Sequence, residues 1–155
     1  MFARLPTPDP AVPVSALQGT AIPASPLAAL HVLLVEDDPE VREATLALLE
    51  EEGARVTALA AGEPALEILR AGAPGFDLLF SDVMLGGPLS GFDLAVEALA
   101  RLPHLPVLLA TGYAGAVGPP PALPGRVPLL HKPYRRVELL AAVTTARCRD
   151  QAAGA

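Results

Sequence analysis

Along most of the chain, short apolar runs alternate with longer stretches in which apolar residues return every three or four positions. The first run, His31-Val32-Leu33-Leu34-Val35, ends abruptly in Glu36-Asp37-Asp38. A continuous apolar run of this length suits a strand buried on both faces, as in a parallel sheet covered by helices. Asp38 then supplies a helix N-cap, and Pro39 fits the first helical position, where its missing N–H is not needed. Val41, Thr45, Leu48 and Leu49 follow at helical spacing, and Gly53 stops the helix. The cycle then repeats. Strands are predicted over residues 55–59, 76–80, 106–110 and 127–130, and helices over 63–71, 92–102 and 137–147. Five strands alternating with helices imply right-handed crossovers and an α/β fold built on a doubly wound parallel sheet.

Two stretches depart from this rhythm. Residues 1–28 carry Pro6, Pro8, Pro10, Pro13, Pro23 and Pro26 among small residues, which precludes a regular helix or an interior strand. They are expected to form a Pro-rich flexible N-terminal extension, ahead of a folded domain over 29–149 and a short disordered tail over 150–155. Between the fourth and fifth strands, Gly115, Gly118, Pro119, Pro120, Pro121, Pro124 and Gly125 break any long helix. At most a turn or two after Tyr113 is expected there, a shortened fourth helix.

Composition narrows the picture. Hydrophobic residues make up 52% of the 155, but aromatics only 4%, so Ala, Leu and Val must fill the core. A formal net charge of −6 argues against a nucleic-acid surface, which needs a basic patch to displace counterions. Cys148 is the only cysteine, so no intrachain disulfide forms, in keeping with a reducing compartment. No apolar run has the length of a membrane span, so no membrane insertion is expected. The N-terminus, with Arg4 as its one basic residue and prolines throughout, reads poorly as a secretory signal, and a cytoplasmic location is the expectation.

The informative polar residues all fall where a strand ends. Glu36 and Asp37 follow the first strand, Asp82 the third, Thr111 the fourth and Lys132 the fifth. Ligands of open α/β sheets bind at the carboxyl ends of the strands, so these residues converge if the first strand is central. Taken singly, each has a plain structural use as a cap, a turn former or a solvated charge. Together they put three carboxylates, a hydroxyl and an ammonium in one crevice. Clustered carboxylates repel unless a cation intervenes, and short oxygen ligands suit Mg²⁺. Asp82 is then placed to attack phosphorus and form an aspartyl-phosphate, with Thr111 and Lys132 donating to the phosphoryl oxygens. His31, His104 and His131 lack metal-site spacing, and Asp77 reads as a turn residue.

The segments Leu33-Leu34-Val35-Glu36-Asp37-Asp38-Pro39, Ser81-Asp82-Val83-Met84, Ala110-Thr111-Gly112-Tyr113 and Lys132-Pro133-Tyr134 resemble the response-regulator receiver family over about residues 30–148. The resemblance implies a flavodoxin-like sheet of order 2-1-3-4-5, which the hydrophobic pattern alone does not specify. It implies Asp82 as phospho-acceptor in a two-component phosphorelay, Glu36 and Asp37 as the acidic pair of a Mg²⁺ site, and the Met84 backbone carbonyl as a further ligand. It implies catalytic roles for Thr111 and Lys132 and a cis Lys132-Pro133 bond. The implied partner is a sensor histidine kinase or phosphotransfer protein, and the implied catalysis is limited to the domain's own phosphorylation and dephosphorylation. The Thr111-Gly112-Tyr113 signature and short fourth helix are similar to receivers of hybrid kinases and to stand-alone receivers.

Departures from the family pattern stand out. Gly86-Gly87 occupies the stretch after Asp82 where the family often has a proline four residues on. Leu129 stands three before the lysine, where an aromatic often reports activation, which leaves Tyr113 and the 112–126 segment as the expected responsive surface. Two other functions share parts of this pattern. A haloacid-dehalogenase-type phosphatase also uses an Asp nucleophile with Thr, Lys and Mg²⁺, but it places a second Asp where this chain has Met84. A non-phosphorylated interaction module commonly lacks one of the acidic pair, the acceptor Asp or the Lys, and this chain retains them all.

Overall fold

The computed structural model describes residues 25–112 and 127–154, with side chains through 148. The described elements run β1 (His31–Val35), α1 (Pro39–Glu51), β2 (Arg55–Leu59), α2 (Gly62–Arg70), β3 (Leu78–Asp82), α3 (Gly91–Arg101), β4 (Val107–Thr111), β5 (Leu129–His131) and the closing helix α4 (Arg136–Gly154). Every strand pairing is parallel, and the order is β2-β1-β3-β4-β5. The predicted shortened helix and residues 113–126 of the expected responsive segment, Tyr113 included, lie outside the described residues.

Strand residues alternate between two cores. Leu33, Val35, Leu79, Val107 and Leu109 face one way and pack with Ala65 and Leu69 of α2 and Leu94, Ala95 and Ala98 of α3. Val32, Leu34, Leu78, Phe80, Leu108 and Ala110 face the other way, against Leu49 of α1 and Leu139 and Val143 of α4. The period-two pleat thus explains why the runs read as continuously apolar: both faces are covered.

Helix starts follow local chemistry. Asp38 caps α1 by accepting from the N–H groups of Glu40 (2.9 Å) and Val41 (3.2 Å). Ser90 and Asp93 form a reciprocal capping box on α3, the Ser90 hydroxyl accepting from the Asp93 N–H while Asp93 accepts from the Ser90 N–H.

Several boundaries differ from the sequence pattern. β3 begins two residues later than predicted because Asp77 ends the turn by accepting the His31 N–H at 2.9 Å, while Phe76 stacks on the His31 ring. β5 begins at Leu129. Pro128 lacks the N–H that an earlier ladder bond would need. At the N-terminal boundary, Leu27 is fully buried in the α1/α4-side core, and the Pro26 carbonyl accepts from Arg147 at 3.0 Å. The packed unit therefore reaches into the stretch read as extension. At the other end, α4 continues to Gly154 through the residues read as a tail, since nothing between Cys148 and Ala153 breaks a helix.

Candidate functional site

The parallel register carries each strand's last residue to the same edge. Val35 pairs with Ser81, Asp82 with Ala110, and Thr111 with His131. Ladder-type bonds continue beyond the strands and fix the site backbone: Glu36 N–H donates to Leu59 O (3.0 Å), Val83 N–H to Ala110 O (2.8 Å) and Lys132 N–H to Thr111 O (2.8 Å). Each chemical group thus sits on the end of a rigid element, not on an independent loop.

Three carboxylates and the lysine meet at this edge. Glu36, Asp37 and Asp82 each offer a carboxylate oxygen, and the three lie within 4.8 Å of one another. Lys132 Nζ bridges two of them, donating to Glu36 Oε2 at 2.7 Å and standing 3.1 Å from Asp82 Oδ1. Glu36, Asp82 and Thr111 are buried, whereas Asp37 is exposed. The crevice is therefore a half-open acidic cup with a lysine on one wall.

Its electrostatics follow from that burial. Desolvation pushes the Asp82 carboxyl above the ordinary carboxylate range; Lys132 pulls it back without cancelling the rise, and the charge on Asp37 adds to it. Glu36 is raised for the same first reason, with Asp82 contributing, against the hydrogen bonds from Lys132 and the Asp38 N–H. For Lys132, burial acts to lower the value, but the hydrogen bond to Glu36 and the charge of Asp82 outweigh it and raise the net value. An ammonium paired with two carboxylates leaves the cluster acidic. A hard divalent cation with oxygen ligands fits that donor set.

Residues outside the predicted set complete the geometry. Arg42, one turn into α1, donates from Nη1 to the Glu36 carbonyl at 2.9 Å and holds the acidic loop. The Ser81 hydroxyl donates to the Asp82 carbonyl at 2.8 Å. Gly91 packs so closely that a Cβ would lie 2.1 Å from the Asp82 carbonyl oxygen. No periodicity signals these contacts, because they join residues through space. The Tyr134 hydroxyl lies 3.3 Å from Thr45 Oγ1 and ties the Lys132 loop to α1, and the Lys132–Pro133 bond is cis. His31 is engaged with Thr57 and Gly75 at the opposite strand ends, in keeping with a structural reading.

A five-stranded parallel sheet of order β2-β1-β3-β4-β5 with an acidic cup and a lysine at its carboxyl edge defines a flavodoxin-like α/β fold. The response regulator receiver domain family matches residues 32–144, and the chain belongs to that family. It is similar to Nodulation protein W of Bradyrhizobium diazoefficiens, 38% identical over 123 residues, covering 77% of this chain and 52% of that protein. It is also similar to response regulator protein FleR of Pseudomonas aeruginosa, 45% identical over 89 residues, covering 57% of this chain and 18% of FleR. The chain therefore spans about half or less of these curated relatives. Among solved structures, the receiver domain of hybrid histidine kinase CckA superposes with a TM-score of 0.60 at 32% identity, covering 76% of this chain and 98% of that one. A receiver protein from Sinorhizobium medicae superposes with a TM-score of 0.66 at 26% identity, covering 79% and 98%.

Proposed function

We propose that this receiver domain accepts a phosphoryl group on Asp82 from a phosphohistidine of a sensor kinase or phosphotransfer protein, in a Mg²⁺-dependent reaction. The observation that carries the reading is the Asp82 carboxylate, seated at the end of the central strand β3, 3.1 Å from Lys132 and clustered with Glu36 and Asp37. An Asp82 oxygen attacks phosphorus as the phosphorus–nitrogen bond of the donor breaks and its electron pair returns to the imidazole. Lys132 stands beside the attacking carboxylate, where its charge can balance that of the phosphoryl oxygens. Thr111, buried at the end of β4, supplies a hydroxyl to another oxygen. Glu36, Asp37, Asp82 and the Met84 carbonyl would hold the Mg²⁺. When bound, that ion neutralises phosphoryl charge and relieves carboxylate repulsion. Burial of Glu36 and Asp82 limits water at the reacting carboxylate.

Acetyl phosphate with Mg²⁺ should add one phosphoryl group to the chain, read by intact mass, and Asp82→Asn should abolish the addition. Equal labelling of that variant would remove Asp82 from its role.

A further inference from the structure

The loop that leaves Asp82 contains the glycine pair by which this chain departs from the family pattern. Gly86 adopts φ +70°, in the left-handed region that side chains rarely occupy. A Cβ there would lie 2.9 Å from Asp37 Oδ2 and 3.9 Å from its Cγ, with no other atom within 4 Å. Carbon and oxygen do not approach that closely without one of them moving. What yields is decided by stiffness. The obstructing atom is the free end of a short, exposed side chain, not backbone. A substituent at 86 would therefore swing the Asp37 carboxylate away and leave the sheet intact. Asp37 is one of the three acids whose oxygens lie within 4.8 Å, so its displacement would open that cluster.

We infer that Gly86 is a positioning residue, its bare Cα at positive φ leaving the space in which the Asp37 carboxylate stays within the acidic cluster, so that a side chain held in this backbone conformation weakens Mg²⁺ binding through Asp37, whereas a proline at this place in other receivers has negative φ and projects its Cβ elsewhere. This rests on the proposed reading of the cluster as the Mg²⁺ site. It goes beyond that reading by assigning a role to a residue that holds no ligand atom. The neighbouring Gly87 is a built-in control, because a Cβ there meets only Glu63 Oε2, at 4.0 Å, and does not touch Asp37.

The test is calorimetric titration of the parent, Gly86→Ala and Gly87→Ala chains with Mg²⁺, paired with thermal melts in EDTA and in saturating Mg²⁺. Gly86→Ala should bind Mg²⁺ about tenfold more weakly, the scale typical of losing the support of one ligand, and Gly87→Ala should match the parent. Backbone strain alone would shift both melts of Gly86→Ala equally, whereas a positioning role narrows the gap between the EDTA and Mg²⁺ melts. Gly86→Asn carries the same Cβ but tolerates positive φ, so it should keep the weakened affinity with less loss of stability. Unchanged Mg²⁺ affinity in a folded Gly86 variant overturns the inference. A parent chain that takes up no Mg²⁺ overturns instead the metal reading beneath it.

Discussion

At the scale of single residues, the site is poised by burial. Asp82 and Glu36 both titrate above their ordinary range, chiefly because the folded chain strips water from them. A carboxyl whose folded pKa exceeds its unfolded one stabilises the fold in its protonated form. That contribution is complete below the unfolded value, about 3.9 for Asp, and is lost as pH rises through the higher folded value. Near neutral pH, ionised Asp82 therefore weighs against the metal-free fold, even with Lys132 beside it. Asp82→Asn removes the charge and leaves Lys132 paired with Glu36. In EDTA at neutral pH the variant should melt above the parent, and its advantage should fade on acidification toward the carboxylate range. A pH series of melts in EDTA measures this, and a variant melting below the parent at neutral pH would contradict it.

At the scale of elements, the fit of α3 against β3 sets the position of Asp82. The first residue of α3, Gly91, donates its N–H to the Val83 carbonyl at 2.8 Å, and its Cα lies against the Asp82 backbone. Here the obstruction to a side chain is backbone: a Cβ would lie 2.1 Å from the Asp82 carbonyl oxygen and 2.9 Å from its carbonyl carbon. Neither can swing away, in contrast to Asp37 beside Gly86. Gly91→Ala should therefore push α3 off the end of β3, at a cost of about 1–3 kcal/mol, the usual range for overpacking. It should also slow phosphorylation of Asp82 by acetyl phosphate. Urea denaturation and single-turnover labelling report the two effects, and a variant equal to the parent in both would dismiss the contact.

At the scale of the molecule, the sheet separates two cores that different helices close. The α1/α4-side core includes Leu27, which arrives from outside the alternating strand–helix pattern. Two residues on, Ala29 donates its N–H to the Gly53 carbonyl at 3.0 Å, and the Pro26 carbonyl takes a hydrogen bond from Arg147 on α4. The segment thus joins the end of α1 to α4 below the sheet. Leu27→Ala should cost about 2–5 kcal/mol, as for other fully buried leucines. Because Leu27 lies away from the carboxyl edge, Mg²⁺ affinity should be unchanged. Chemical denaturation and calorimetry test the pair of outcomes. A loss well below the stated range would mean that the site refills or that Leu27 packs loosely.

The order of strands and helices, and the site residues at strand ends, were legible in the sequence for one physical reason. Strands buried on both faces must be largely apolar, so the polar residues that close each run mark the edge of the sheet. Glu36, Asp37, Asp82, Thr111 and Lys132 could therefore be read without coordinates. Element ends were less legible. The start of β3 depends on His31 and Asp77 meeting across 46 positions, and β5 starts where the proline ceases to interrupt the ladder. What only the tertiary structure decided are contacts with no periodicity behind them. Leu27 closes a core from within a proline-rich stretch, because an isolated leucine shows its use only when a cavity awaits it. Arg42 reaches back to the Glu36 carbonyl, and Gly91 and Gly86 matter for atoms they lack. A missing Cβ leaves no mark in a hydropathy pattern; its meaning is the distance to whatever would have been struck, and that distance exists only once the chain has folded.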